Sequence, residues 1–305
     1  MKIGVDKVNE QEHNLDRQTG LDSLRKLPNN YAFNGIDLIK FFCSYLVCAI
    51  HITPFTGIDW SYAGYFNYGI QHGIARVAVP FFFTSAGFLL FRKIDINSIN
   101  KERIKKYCYK MIFLLGVWSI LLFMGNTTQL WYLGGTVIVI ALLYVLLKKK
   151  VSFLKIGLIA GLLYLIGLLL DSYSGFLRII SQKTGLSFIN DFVSFFNEDI
   201  SRTLRLGLFS ALIFFFMGVL FVYKTIKMKM WVSYAGLLFS VMMLLVETFA
   251  IKHLSKPYDH NLFVSLIPAT FFLFYIATHI QLKNRKIYKT LRELGVGFLY
   301  PFVCL

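Results

Sequence analysis

The 305-residue chain is 56% hydrophobic and 17% aromatic, and only 16% of its residues are charged, against the quarter usual in soluble domains. That balance excludes a water-soluble core as the main architecture and makes a bilayer the natural solvent. A formal charge of +16 would suit a nucleic-acid binder if the cations shared one face, but Lys and Arg gather in short clusters between apolar runs, which excludes nucleic acid as the partner.

Taken in chain order, residues 1–30 are polar and charged and hold no apolar stretch of the kind a cleavable signal needs, so they read as a flexible cytoplasmic tail. A membrane domain follows over 31–305. Crossing about 30 Å of hydrocarbon takes roughly 20 residues. Apolar runs of that order lie at 36–55, 74–91, 108–125, 129–147, 153–170, 204–223, 231–250 and 262–282, and a ninth begins near Leu294 and is cut at Leu305. The expected fold is all-α, a polytopic transmembrane helix bundle of about nine hydrophobic segments with the last truncated. With the amino terminus inside, the cytoplasmic segments carry 24 Lys and Arg and the outer ones 5, which sets a multi-pass orientation in the plasma membrane with a cytoplasmic amino terminus. The outer loop 171–203 is long enough to hold a short interfacial helix around 188–196. Cys43, Cys48, Cys108 and Cys304 lie in or beside apolar runs without CxxC spacing and read as small hydrophobes, so no metal is expected.

Ionisable residues within a span usually face a polar interior, which makes them functional candidates. The first run holds Asp37, Lys40 and His51. Lys40 and His51 are eleven positions apart, which returns to within roughly 20° of the same direction and separates them by roughly 16 Å along a helix. Asp37, one turn before Lys40, is placed to neutralise it. In the second run Pro80 is expected to kink the helix, and Ser85 and Gly87 are small enough to admit a close neighbour. Arg76 needs a partner from elsewhere, with Glu247 one candidate. Beyond that run, Arg92, Lys93, Lys101, Arg103, Lys105 and Lys106 form a cationic stretch that suits anionic lipid or a phosphorylated donor.

Four features together resemble the acyltransferase-3 family of bacterial membrane proteins: Lys40 to His51, the stretch 79–90 (VPFFFTSAGFLL), 130–133 (LWYL), and 205–218, which starts at Arg205 and ends in FFFMG. The resemblance runs from Tyr31 onward. It implies an O-acyltransferase that moves an acetyl group from cytoplasmic acetyl-CoA to a hydroxyl of a cell-envelope glycan. His51 would be the catalytic histidine, with Lys40 in the place of the usual arginine and Asp37 beside it. Arg103 and Lys106 would grip the coenzyme. Arg76, Ser85, Arg205 and Glu247 are the candidates for binding substrate. Lys stands at two positions where the family pattern has Arg, and Lys cannot make the bidentate contact. One subgroup keeps the same module fused to a cytoplasmic racemase, as in the membrane-bound serine racemases of vancomycin-resistant bacteria, where it is thought to take up serine. The stretches GIDLIK (35–40) and RVAVP (76–80) look closer to that subgroup, although no racemase domain is read in these 305 residues. A third reading is a structural remnant, because the chain stops inside its ninth run.

Overall fold

The computed structural model describes residues 33–51, 62–95, 101–121, 131–196, 205–254 and 259–280. The expected tail, the end of the first run beyond His51 and the ninth run from Leu294 lie outside the described residues. Every regular element among the described residues is helical. In order they are α1 (Asn34–His51), α2 (Ala63–His72), a 3-10 turn (Ile74–Val77), α3 (Ala78–Phe91), α4 (Lys101–Leu121), α5 (Trp131–Lys148), α6 (Phe153–Leu170), α7 (Ser174–Thr184), α8 (Phe188–Phe195), a π turn (Arg205–Ser210), α9 (Ala211–Tyr223), α10 (Met230–Leu254) and α11 (Leu266–His279).

Among the described residues, five stretches are long and apolar enough to cross a membrane: Ala63–Phe91, Trp131–Lys148, Phe153–Leu170, Leu206–Tyr223 and Met230–Leu254. Nine segments are expected from the sequence, and these five are the ones the described residues bear out. Asn34, Asp37, Lys40 and His51 dilute α1, and the 14 residues of α11 reach only about 21 Å. The exposed faces still identify a membrane protein. On α6, Leu154, Leu158, Leu162, Leu165 and Leu169 form one outward stripe, and on α10 Trp231, Leu238, Phe239, Met242 and Val246 do the same. Stripes of this size need an apolar surrounding.

Helices α3 and α9 form the centre, because both are apolar all round and a helix with no polar face belongs in an interior. Their spans are 72% buried, against 22% for α10. Lipid tails are as apolar as Phe or Leu, so close packing has to hold the two helices together. Glycine permits that approach. A Cβ at Gly87 would strike the Phe215 carbonyl, and one at Gly218 would strike the backbone of Thr84 and Phe88. The expected close neighbour at Gly87 is therefore α9. Around the crossing, Phe88 and Phe221 meet Phe274 of α11 edge to face, with ring centroids 5.5 and 5.0 Å apart, a geometry worth about 0.5–1.5 kcal/mol per pair.

The remaining helices pack around this pair. α1 and α11 lie against α3, α5 and α6 lie against α9 and the π turn, α4 packs on α5, and α10 packs on α11. Helix ends are closed by local chemistry. Ser152 caps α6 by accepting the Lys155 amide at 3.4 Å. α5 ends with Lys150 in the left-handed region (φ 53°), and its Val151 amide reaches back to Leu146 at 3.0 Å. Gly185 (φ 73°) ends α7, and α8 follows as a short helix where one is expected at 188–196. Its Val193 points inward, while Phe188, Phe192 and Phe195 are exposed on one face.

Candidate functional site

In the stretch Ala63–Phe91 the helix is broken. α2 ends at His72, the chain passes through Gly73 and the 3-10 turn, and α3 starts at Ala78. Pro80 does not make the break at its own position. It is the third residue of α3, where no amide partner is required, and the disturbance lies upstream, at Gly73–Val77. Broken helices occur at membrane depth only where protein or a water-lined cavity satisfies the freed backbone. Arg76 sits in this break.

Hydrogen bonds hold the half-buried guanidinium of Arg76. Its Nε donates to the Gln71 carbonyl at 3.0 Å, Nη1 donates to Asn261 Oδ1, and Nη2 lies 3.3 Å from His72 Nδ1. Asn261 passes the interaction on, donating through its amide nitrogen (2.8 Å) and its Nδ2 (3.2 Å) to the two oxygens of Asp171. The Leu262 amide (3.2 Å) and Ser172 Oγ (3.0 Å) also donate to Asp171 Oδ1. A fully buried carboxylate is costly unless its oxygens are satisfied, and Asp171, 0% exposed, receives four donors. Arg76, Asn261 and Asp171 thus form a cation–amide–carboxylate relay between the break, the loop before α11 and the end of α6.

Aromatic rings surround the relay. The ring centroids of His72 and His260 are 4.9 Å apart, and Tyr68 lies 4.7 Å from His72 and 5.7 Å from His260. Lys252 of α10 sits 3.9 Å above the Tyr68 ring. The Tyr68 hydroxyl is buried and makes no hydrogen bond to the described residues. Asp259 supplies a second carboxylate next to His260, accepting that residue's amide at 2.9 Å. Burial first, and the nearby Arg76 charge second, hold the His260 imidazole below its ordinary pKa, so it is neutral at physiological pH.

Glu247 lies in the same region but is not the partner expected for Arg76. It accepts from the Tyr173 hydroxyl (2.6 Å) and from the Val264 (2.6 Å) and Ser265 (2.9 Å) amides. Those contacts tie α10 to the start of α7 and to the amino-terminal end of α11, where a carboxylate is favoured. Burial, followed by the Glu247 hydrogen bond, pushes the Tyr173 hydroxyl well above the usual phenol range.

Of the other sequence candidates, His51 comes within reach of the Arg76 charge. Lys40 pairs with Asp37 at 3.8 Å, as their spacing predicts. His51 is exposed at the last position of α1, and α1 packs against the turn that carries Arg76. Ser85 is fully buried in α3, with its hydroxyl unmatched among the described residues. Arg205 opens the π turn. Arg103 and Lys106 are exposed at the start of α4, at the far end of the bundle, where Arg103 donates to the Lys93 carbonyl at 3.4 Å. Sequence reasoning missed Asp171, Asn261, His72, His260, Tyr68 and Lys252. The one available signal was Asp171, a lone acid directly after the run 162–170.

With this geometry in view, comparison with known proteins narrows the reading. The chain is 27% identical over 299 residues to an amino-acid racemase of Enterococcus faecalis, covering 90% of this chain and 39% of that protein. It is 28% identical over 298 residues to a second amino-acid racemase of Enterococcus faecalis, covering 88% and 41%. It is 29% identical over 266 residues to a serine/alanine racemase of Enterococcus gallinarum, covering 79% and 36%. The chain is similar to racemases over about two fifths of their length. No family model matches the chain, and no solved structure does. None of the three names refers to acyl transfer, so these relatives favour the racemase-associated reading over the acyltransferase one.

Proposed function

We propose that this chain is a membrane module that binds a small amino acid, serine first, at the cluster around Arg76 and carries it across the bilayer. The observation that carries the reading is similarity to proteins named amino-acid racemase and serine/alanine racemase over most of the chain. Such a protein needs free amino acid, and a free amino acid is a zwitterion. The cluster offers both signs, with the planar Arg76 fork suited to a carboxylate and Asp259 suited to an ammonium. Transporters bind polar substrates where helices are discontinuous, and Arg76 stands in such a discontinuity. The excess of basic residues at the opposite end turns the cluster to the outside, where serine would arrive.

Acyl transfer is the second reading. It is favoured by the Asp37–Lys40 pair and His51 on one helix, with Arg103 and Lys106 near the end where α1 begins; there Arg92 lies 4.5 Å over the Phe33 ring. Exposed cations of this kind suit the phosphates of acetyl-CoA, which would supply the acetyl group. Accumulation of labelled serine by vesicles bearing the chain, run beside transfer of labelled acetyl from acetyl-CoA, separates the readings. Serine accumulation unchanged by His51→Ala supports the amino-acid reading. Acetyl transfer that His51→Ala abolishes, with no serine accumulation, replaces it with the acyltransferase.

A further inference from the structure

At the end of the bundle opposite Arg76, the start of α6 and the end of α9 leave a groove of about 700 Å³. Leu154, Gly157 and Leu158 form one wall, and Phe216 and Leu220 form the other. Gly157 leaves room between the walls: a Cβ there would already touch the Phe216 ring at 3.4 Å, and a longer side chain would fill the space. The base is rigid. Phe153 meets Phe216 at a tilt and stacks on Tyr223, both with ring centroids 6.0 Å apart, and the Tyr223 hydroxyl donates to the Ile94 carbonyl at 2.7 Å.

The mouth of the groove has a different character. Lys224 lies 5.5 Å over the Phe153 ring, and Ser152 lines the groove beside it. Lys148, Lys149, Lys150 and Lys155 are exposed on the adjoining helix ends. No Asp or Glu occurs between positions 148 and 170 or between 224 and 246, so nothing in those stretches balances this charge. An apolar slot of this volume, running along two membrane helices from a cationic mouth at their ends, matches one molecule in shape and sign. We propose that the groove between α6 and α9 is a binding site for an anionic phospholipid, with one acyl chain lying along Gly157 and the phosphate held by Lys224. A zwitterionic headgroup would bring its own cation to the same lysines, which is why the site selects an anion.

The test uses the purified chain in detergent, given equal amounts of phosphatidylglycerol and phosphatidylcholine, with retained lipid counted by native mass spectrometry. The chain is expected to keep phosphatidylglycerol preferentially. Lys224→Ala should lower that preference about fivefold, the share of one lysine at an anionic surface. Gly157→Leu should lower it comparably by filling the slot without touching the charge. Lys229→Ala, on the same side of the molecule but not lining the groove, should leave it unchanged. Loss with Lys224→Ala but not with Gly157→Leu would overturn the groove in favour of surface attraction. Loss with Gly157→Leu but not with Lys224→Ala would overturn the anionic selectivity, and no preference at all would overturn the site. Circular dichroism of each variant confirms that a loss comes from the groove and not from unfolding.

Discussion

Asp171 joins four backbone and side-chain donors that come from segments 90 residues apart in the chain. Replacing it by Asn keeps the size and removes an acceptor, which sets one amide nitrogen against the Asn261 Nδ2 donor. The Asp171→Asn variant should therefore lose about 1–3 kcal/mol, read as a lower thermal midpoint. Arg76→Lys keeps the charge and loses the planar fork. If charge-assisted hydrogen bonds of about 1.5–3 kcal/mol hold the substrate carboxylate, serine accumulation should fall about tenfold or more. His260 adds a pH dependence. Its folded pKa lies below the unfolded value of about 6.5, so its share of stability is fully present above that pH and is lost as pH falls through the folded value. His260→Gln should flatten that acid limb in a thermal-melt series. The long-range partners were not legible in the sequence, because Arg76 and Asn261 are 185 positions apart and no periodicity connects them. The Asp37–Lys40 pair was legible, because one helical turn connects it.

Among elements, the α3–α9 crossing decides whether the bundle assembles. Gly218→Val would drive a branched side chain into the backbone of Thr84 and Phe88, and overpacking of this kind costs about 1–3 kcal/mol. The thermal midpoint should fall, and an unchanged midpoint would mean that the two helices do not cross there. Small residues in 79–90 announced a close neighbour, and the aromatic run at 188–196 announced a short amphipathic helix. The break in Ala63–Phe91 was not announced. Asn67, Gln71 and His72 lower the apolar character of α2, so the run reads as starting at Ile74 and the preceding helix passes for a loop. Pro80 drew attention to the right helix and to the wrong place in it, because a proline in the first turn of a helix disturbs nothing.

The whole molecule has two chemically distinct ends, a cationic one with Lys148, Lys149, Lys150, Lys224 and Lys227, and one where Arg76, Asp171, Glu247 and the loop before α11 converge. From the positive-inside rule we propose that the first faces the cytoplasm. Cysteine placed at Lys227 should then react with an impermeant thiol reagent only from the cytoplasmic side, and cysteine at Lys183 only from outside. We propose that the second end binds an amino acid through Arg76. Thermal stability of the purified chain across a serine titration tests it most directly, since a ligand at about 100 times its Kd adds about 2.7 kcal/mol to the folded state. A saturable rise in midpoint that Arg76→Gln removes is the expected result; a rise that survives Arg76→Gln, or no rise with serine at all, rules out binding through Arg76.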